Sequence, residues 1–373
     1  MTSERLILAG AVAQRANVGG HTWVFLQYLL GLRALGWDVM LVDRLTADEP
    51  AASSRYLVDV MERFGLGDSF TVLLDDGATA GRSREEALEH ARTSAALINV
   101  MGYLDDEDIL AAAPKRVFLD IDPGFGQMWR ALGQADPFAG HDEFVTVGEN
   151  VGRGDCTVPT CGIDWITTPQ PVVLNEWPVA DGAGEAFTSV GAWRGPYGPI
   201  EYEGRTYGLR VHEFRRFLEL PRRTGRRFEV ALDIHAAEHE DLTRLHESGW
   251  TLADPGVVAA TPQAYRDYIR GSSAELMVAK HIYVATRSGW FSDRSICYLA
   301  SGRPVLAQDT GIRERYPVGE GLLAFSDLDE AQAGVEEIAS HPERHRRAAR
   351  EIAEDRFASD VVLPRLLEKL GLG

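Results

Sequence analysis

The sequence predicts an α/β protein made of two doubly wound units of similar size that face each other across a cleft. Three observations carry this expectation. Strand-length apolar runs alternate with stretches of helical period along most of the chain, and this periodicity is lost at Val173–Glu185. The 373 residues are enough for about two domains, at roughly 100–200 residues per domain.

The elements follow in order. Arg5–Ala11 reads as a buried strand, Gln14–Gly20 as a polar turn and His21–Leu35 as a helix, with Trp23, Leu26, Leu30 and Leu35 near helical spacing. Gly36 closes the helix and Trp37–Asp43 is the next strand, so the chain opens with a strand–helix–strand unit and its right-handed crossover. Helices are expected at Tyr56–Phe64 and Arg84–Ala91, and strands at Ala96–Val100, Arg116–Ile121 and Glu143–Val147. Trp177-Pro178 and Asp181-Gly-Ala-Gly184 mark Val173–Glu185 as a linker, giving domains of residues 1–175 and 186–373, with the C-terminal helix a candidate to pack back on the first.

The second set runs from a strand at Ala186–Gly191 through a helix at Arg210–Leu220, a strand at Phe228–Ile234 and a helix at His239–Glu247. A short strand at Trp250–Leu252, a helix at Thr261–Gly271 and a strand at His281–Ala285 come next. The helix Ser292–Ala300, the strand Pro304–Gln308 and helices at Leu328–Ser340 and Pro342–Phe357 complete it. In such sheets ligands bind beyond the carboxyl ends of the strands, so functional residues are expected on strand-to-helix loops.

Composition narrows the function. A net charge of −18 argues against wrapping a nucleic-acid backbone, which needs a basic face. It leaves room for one phosphorylated ligand held by a few arginines. The three cysteines, Cys156, Cys161 and Cys297, form neither a disulfide scaffold nor a zinc pattern, so no metal is expected. No apolar run reaches the ~18–20 residues of a membrane span, and cytoplasmic residence is the default expectation.

The segment Lys280 to Gly311 carries most of the chemistry. A Ser288-Gly-Trp-Phe loop leads to Ser292 as the N-cap of a helix, with Asp293 and Arg294 in its first turn; exposed amides there favour an anion. Gly302 stops the helix and Arg303-Pro304 opens the next strand. This strand–loop–helix–Gly-x-Pro-Val arrangement, Ala300-Ser-Gly-Arg-Pro-Val305, resembles the donor-binding half of GT-B glycosyltransferases of the family 1/4-like type. The resemblance implies two Rossmann-like domains, a nucleotide-diphosphate sugar as substrate and no separate cofactor. The sequence departs from the retaining branch of that family, which places a ribose-binding glutamate where Cys297 stands and an earlier one near Gly289.

The remaining candidates are weighed on the same footing. Gly19 and Gly20 would let a ligand approach the first loop, and His21 resembles the histidine general base of one inverting branch. A histidine in a first helical turn also often caps or packs. Asp120 and Asp122 point to one side of a strand end, and Asp122 is the candidate to orient the acceptor, although an Asx turn would explain it equally. Arg194 resembles the basic residue that contacts the diphosphate, with Trp193 beside it either lining the pocket or filling the core. His235 ends another strand, Lys280 is a further diphosphate candidate, and Thr310 lies in the polar loop after the last motif.

The expected function is transfer of a sugar from a nucleotide-diphosphate sugar to a small acceptor, with His21 and Asp122 catalytic and the other candidates binding the donor. A silent nucleotide-sugar-binding protein, or a GT-B epimerase or phosphorylase, is the alternative. Neither nucleic acid nor a membrane is an expected partner.

Overall fold

A computed structural model describes residues 4–46, 49 and 51–372. The first sheet contains β1 (Arg5–Ala9), β2 (Asp38–Leu45), β3 (Phe70–Leu74), β4 (Thr79–Gly81), β5 (Ala96–Val100), β6 (Arg116–Asp120), β7 (Glu143–Thr146) and β8 (Ile166–Thr167). Their spatial order is β4-β3-β2-β1-β5-β6-β7-β8, all parallel except the β3–β4 hairpin. The second half holds β9 (Phe187–Ala192), β10 (Ile200–Tyr202), β11 (Arg205–Tyr207), β12 (Phe228–Asp233), β13 (Thr251–Leu252), β14 (Ala274–Met277), β15 (Val305–Gln308) and β16 (Leu322–Phe325). Six of these form a parallel sheet, β13-β12-β9-β14-β15-β16, while β10 and β11 pair as a separate hairpin. In both sheets the order reverses beside the first strand, between β1 and β5 and between β9 and β14, and ligand crevices form at such switch points.

The central strands are buried on both faces, which is why β5 (Ala-Leu-Ile-Asn-Val) reads as a continuous apolar run. Helix Gly19–Ala34 is buried along most of its circumference, because one side covers the first sheet and another meets the second half of the chain. Trp23 donates from Nε1 to the Pro262 carbonyl at 2.9 Å and packs against Trp177 of the connecting segment. The C-terminal helix Ser359–Lys369 crosses back to helix Gly19–Ala34, where Gly31 faces Leu363 and Ser359. Lys369 and Lys115 fasten that crossing through the carbonyls of Thr167 and Leu370, at 2.7 and 2.6 Å. Among the described residues no helix is long and apolar enough to cross a membrane.

One expected element is of the wrong type. His281–Ala285 is not a strand: residues His281–Thr286 are a helix, and the strand of this region is β14, seven residues earlier. Ile282 and Val284 suggested a strand, yet Ile282, Tyr283 and Thr286 are buried at helical spacing, and the β-ladder is supplied by Ala274-Glu-Leu-Met277. Lys280 therefore sits after a strand, at the cleft end of the sheet, and not before one. The helix expected at Arg210–Leu220 is broken into Arg210–Phe214, a 3₁₀ turn at Arg215–Phe217 and Leu220–Thr224, with Pro221 beginning the last piece. The hairpins β3–β4 and β10–β11 had no counterpart in the sequence reading.

A Cβ on Gly31 would lie 2.6 Å from Leu363 Cδ1 and 2.8 Å from Ser359 Cβ. Gly31→Val should therefore push the C-terminal helix off the first sheet's helix at a cost of about 1–3 kcal/mol. A lower melting temperature together with faster proteolysis after residue 357 is expected; an unchanged digestion pattern would contradict this packing.

Candidate functional site

A cavity of about 230 Å³ opens where the carboxyl ends of the two sheets meet. One wall is formed by Arg15, His21, Met101, Tyr103, Ile121 and Asp122, the other by Ala192, Arg194–Tyr197, Arg210 and Lys280.

The first wall begins with the loop after β1. Asp43, buried on β2, accepts from the Ala13 amide at 2.6 Å, from Gln14 Nε2 at 3.1 Å and from the Arg44 amide at 2.7 Å. These bonds fix the path of the loop that carries Arg15. Burial outweighs them and pushes the Asp43 carboxyl up to about 7. His21 stands at the start of the following helix with Nε2 3.2 Å from the Ala11 carbonyl. A carbonyl can only accept, so Nε2 carries the proton and Nδ1 keeps a free lone pair. Burial, and then the charge of Arg15, hold the imidazole down at about 4.

Asp122 follows β6 and reaches across to the second half. Its Oδ2 accepts from Lys280 Nζ at 2.6 Å and its Oδ1 from the Tyr283 hydroxyl. Both members of the ion pair are largely buried, with 16% and 20% of the side chains exposed. Asp120 points inward, where Gln127 and Thr146 donate to it at 2.7 and 2.8 Å, and burial raises its carboxyl to about 6.

The second wall is basic. Arg194 pairs with Glu238 through Nε and, at 2.9 Å, through Nη2. Lys280 caps the helix after β14 and lies 5.0 Å from the centroid of Phe125. Arg210 was not expected from the sequence. It is 8% exposed and belongs to no ion pair among the described residues, and its Nε and Nη1 have no hydrogen-bond partner. Its guanidinium lies against the Cα of Gly191 on β9, where any Cβ would come within 1.9 Å of Nη1. Burial, then the charge of Arg294, lowers its proton affinity to about 10, so it remains a cation at neutral pH. The sequence signal for this residue is thin, since only the glycine at position 191 of β9 marks the space it uses.

Several expected site residues lie elsewhere. Gly19 and Gly20 bring helix Gly19–Ala34 onto the second half: Cβ atoms there would lie 2.3 Å from the Thr261 carbonyl oxygen and 2.8 Å from the Tyr265 ring. Trp193 is core, donating to Asp241 at 2.9 Å and packing on Phe214. His235 is exposed outside the cavity, its Nδ1 accepting from the Ala237 amide at 3.1 Å. Ser292 is the expected N-cap, but its oxygen is engaged by the Arg294 amide at 3.2 Å. Arg294 turns inward to a buried ion pair with Glu275 and to the Val190 carbonyl at 2.6 Å. Asp293 faces a small gap lined by Tyr28, Gln27 and Cys297, and burial raises its carboxyl. Thr310 is fully buried and donates to the Trp290 carbonyl at 2.6 Å, which braces the preceding loop. His21, Asp122, Arg194 and Lys280 are thus the expected residues that the fold gathers at one cavity. Among the described residues no cluster of His, Cys, Asp and Glu is placed to hold a metal ion.

Two sheets of this order meeting at their switch points define a GT-B protein. Residues 205–362 match the family model described as glycosyl transferase-like. The whole chain aligns with sucrose-phosphate synthase from Thermosynechococcus elongatus (14% identity, 99% of each chain, TM-score 0.55). It also aligns with Anabaena HepE in complex with UDP and glucose (11%, 99% of each chain, 0.59). A third match is the E. coli protein described as trehalose-6-phosphate bound with UDP-2-fluoro glucose (11%, 98% of this chain and 99% of that one, 0.54). Curated proteins yield no sequence match. The chain has the GT-B fold, and its second half carries a glycosyl transferase-like domain.

The His21 environment makes a prediction about pH. A folded value near 4 against an ordinary value near 6.5 means that the unfolded chain binds the proton more tightly. The His21 contribution to stability is present above about 6.5 and is lost as pH falls toward 4. An NMR titration should find His21 neutral at pH 5.5 in the folded protein. Protonation with a midpoint above 6 would show that the ring is not held as described.

Proposed function

We propose that the protein transfers a sugar from a nucleotide-diphosphate sugar to a small-molecule acceptor in the cavity between its two sheets. The observation that carries this reading is Arg210, a buried guanidinium with no ion-pair partner among the described residues, on the cavity wall of the glycosyl transferase-like half. A buried cation is costly unless paired, and a diphosphate supplies the missing charge and acceptors. HepE and the E. coli protein are described with UDP and UDP-2-fluoro glucose, so a uridine nucleotide is the first donor to test.

The chemistry requires charge stabilisation on one side and proton removal on the other. As the bond between the sugar and the diphosphate breaks, negative charge gathers on the departing phosphate oxygens, where Arg210 would stabilise it without reorganising. Lys280 and Arg194 can join it only by exchanging their present carboxylates, Asp122 and Glu238, for phosphate. That exchange links the two halves of the reaction: donor binding draws Lys280 away and leaves Asp122 to orient the acceptor hydroxyl. The His21 Nδ1 lone pair is the second group able to take the hydroxyl proton.

Thermal shift against a panel of nucleoside diphosphates and their sugars should reveal a ligand that raises the melting temperature in step with occupancy. Arg210→Gln should weaken that ligand about 10–100-fold, the range for losing a charged hydrogen bond. No stabilisation by any nucleoside diphosphate at millimolar concentration would remove the reading. Asp122→Asn should lower the transfer rate about 10²-fold or more while leaving diphosphate binding as tight or tighter, because Lys280 is released. Weaker diphosphate binding in that variant would contradict the exchange.

A further inference from the structure

The cavity holds four basic side chains, and two of them are already neutralised. Lys280 is paired with Asp122 and Arg194 with Glu238. The other two, Arg210 and Arg15, have no ion-pair partner among the described residues, and they stand on opposite walls. Arg210 faces the site from the second half, where the diphosphate reading places the donor. Arg15 faces it from the first half, on the loop pinned by Asp43, with its guanidinium 5.8 Å from the centroid of the Tyr103 ring. A tyrosine face at that distance attracts a guanidinium without neutralising its charge.

Resting on the transferase reading above, we infer that the acceptor carries an anionic group, a phosphate or a carboxylate, bound by Arg15 on the first-half wall beside His21 and Tyr103. Arg15, His21 and Tyr103 line this wall together, and Tyr197 faces them from the other. An acceptor anchored there would present a neighbouring hydroxyl to His21 Nδ1 and Asp122. Its negative charge would also offset the Arg15 charge that depresses His21, restoring part of the basicity of the ring when the proper acceptor is bound. Selectivity then falls on acceptors with the anion, because a neutral analogue leaves a desolvated guanidinium unpaired.

The test separates this inference from the reading it rests on. The intact protein is saturated with the nucleoside diphosphate that stabilises it most, which occupies the Arg210 side. Inorganic phosphate, acetate and chloride are then titrated at matched ionic strength, and the additional thermal shift is recorded. Phosphate or acetate should add stabilisation beyond chloride, and the stronger of the two identifies the anionic group. Arg15→Gln should weaken that second response at least 10-fold while the diphosphate shift persists, and Arg15→Lys should recover part of it. The diphosphate shift also reports that each variant is folded. A second response no larger than that of chloride, or one that survives Arg15→Gln, overturns the inference and leaves the transferase reading standing. A protein that no nucleoside diphosphate stabilises loses both.

Discussion

The distance between the two sheets is set by backbone contact at the start of one helix. Gly19 donates its amide to the Ala259 carbonyl at 2.7 Å, and the helix that begins there can lie against residues 259–265 only because positions 19 and 20 have no side chain. A Cβ at Gly19 would be driven into the Thr261 carbonyl, which belongs to the backbone and has little freedom to yield. From this contact follow the Trp23–Pro262 bond, the tilted packing of Trp23 on Trp177 and the reach of Asp122 to Lys280. The first-half wall of the cavity is thus placed by a contact that contains none of the cavity's own charged groups.

That wall and its opposite reverse the electrostatics of the protein as a whole. The chain carries a net charge of −18, yet four cations line the cavity and Asp122 is the only acidic side chain among its lining residues. Excess negative charge over the rest of the surface repels anions, while a recessed cluster of cations focuses field lines at its mouth. The arrangement favours a ligand whose charge is concentrated at one or two points. Interaction is strongest where water is displaced, and for that reason the partial burial of Arg210 and Lys280 matters more than their number.

Much of the fold was legible because it depends on local rules. Buried parallel strands such as β5 are apolar throughout, Gly36 and Gly302 end helices, and Ser292 caps one, so these elements stand at or near their expected bounds. The type of residues 281–286 was misread because Ile282 and Val284 suit a strand as intrinsic preference, whereas the sheet had already been completed by Ala274–Met277. The site was legible only in part. His21, Asp122, Arg194 and Lys280 stand on loops that topology alone brings to the cleft. Arg210 and Arg15 were invisible because their significance lies in what they lack: a missing counter-ion is a property of three-dimensional surroundings, and no pattern of neighbours in the sequence records it.

The same distinction explains the departure at Cys297. In the family that the segment resembles, a glutamate at that position faces the donor. Here the thiol is 2% exposed, donates to the Asp293 carbonyl at 3.2 Å and receives Gln27 Nε2 at 3.7 Å, so this face of the helix is used to join the two halves of the chain. A glutamate at that point would bury a second carboxylate beside Asp293, with Gln27 and the Tyr28 hydroxyl as neighbouring donors and no cation lining the gap. The carboxylate of this region instead lies one layer deeper, on β14, where Glu275 holds Arg294. Those two charges pair inside the second half, and the cavity's cations stand at the ends of β9 and β14, where Gly191 makes room for Arg210 and the chain turns at Lys280. The buried thiol at this position thus belongs to a helix face turned toward the first half of the chain, while the cations of the cavity stand at the strand ends.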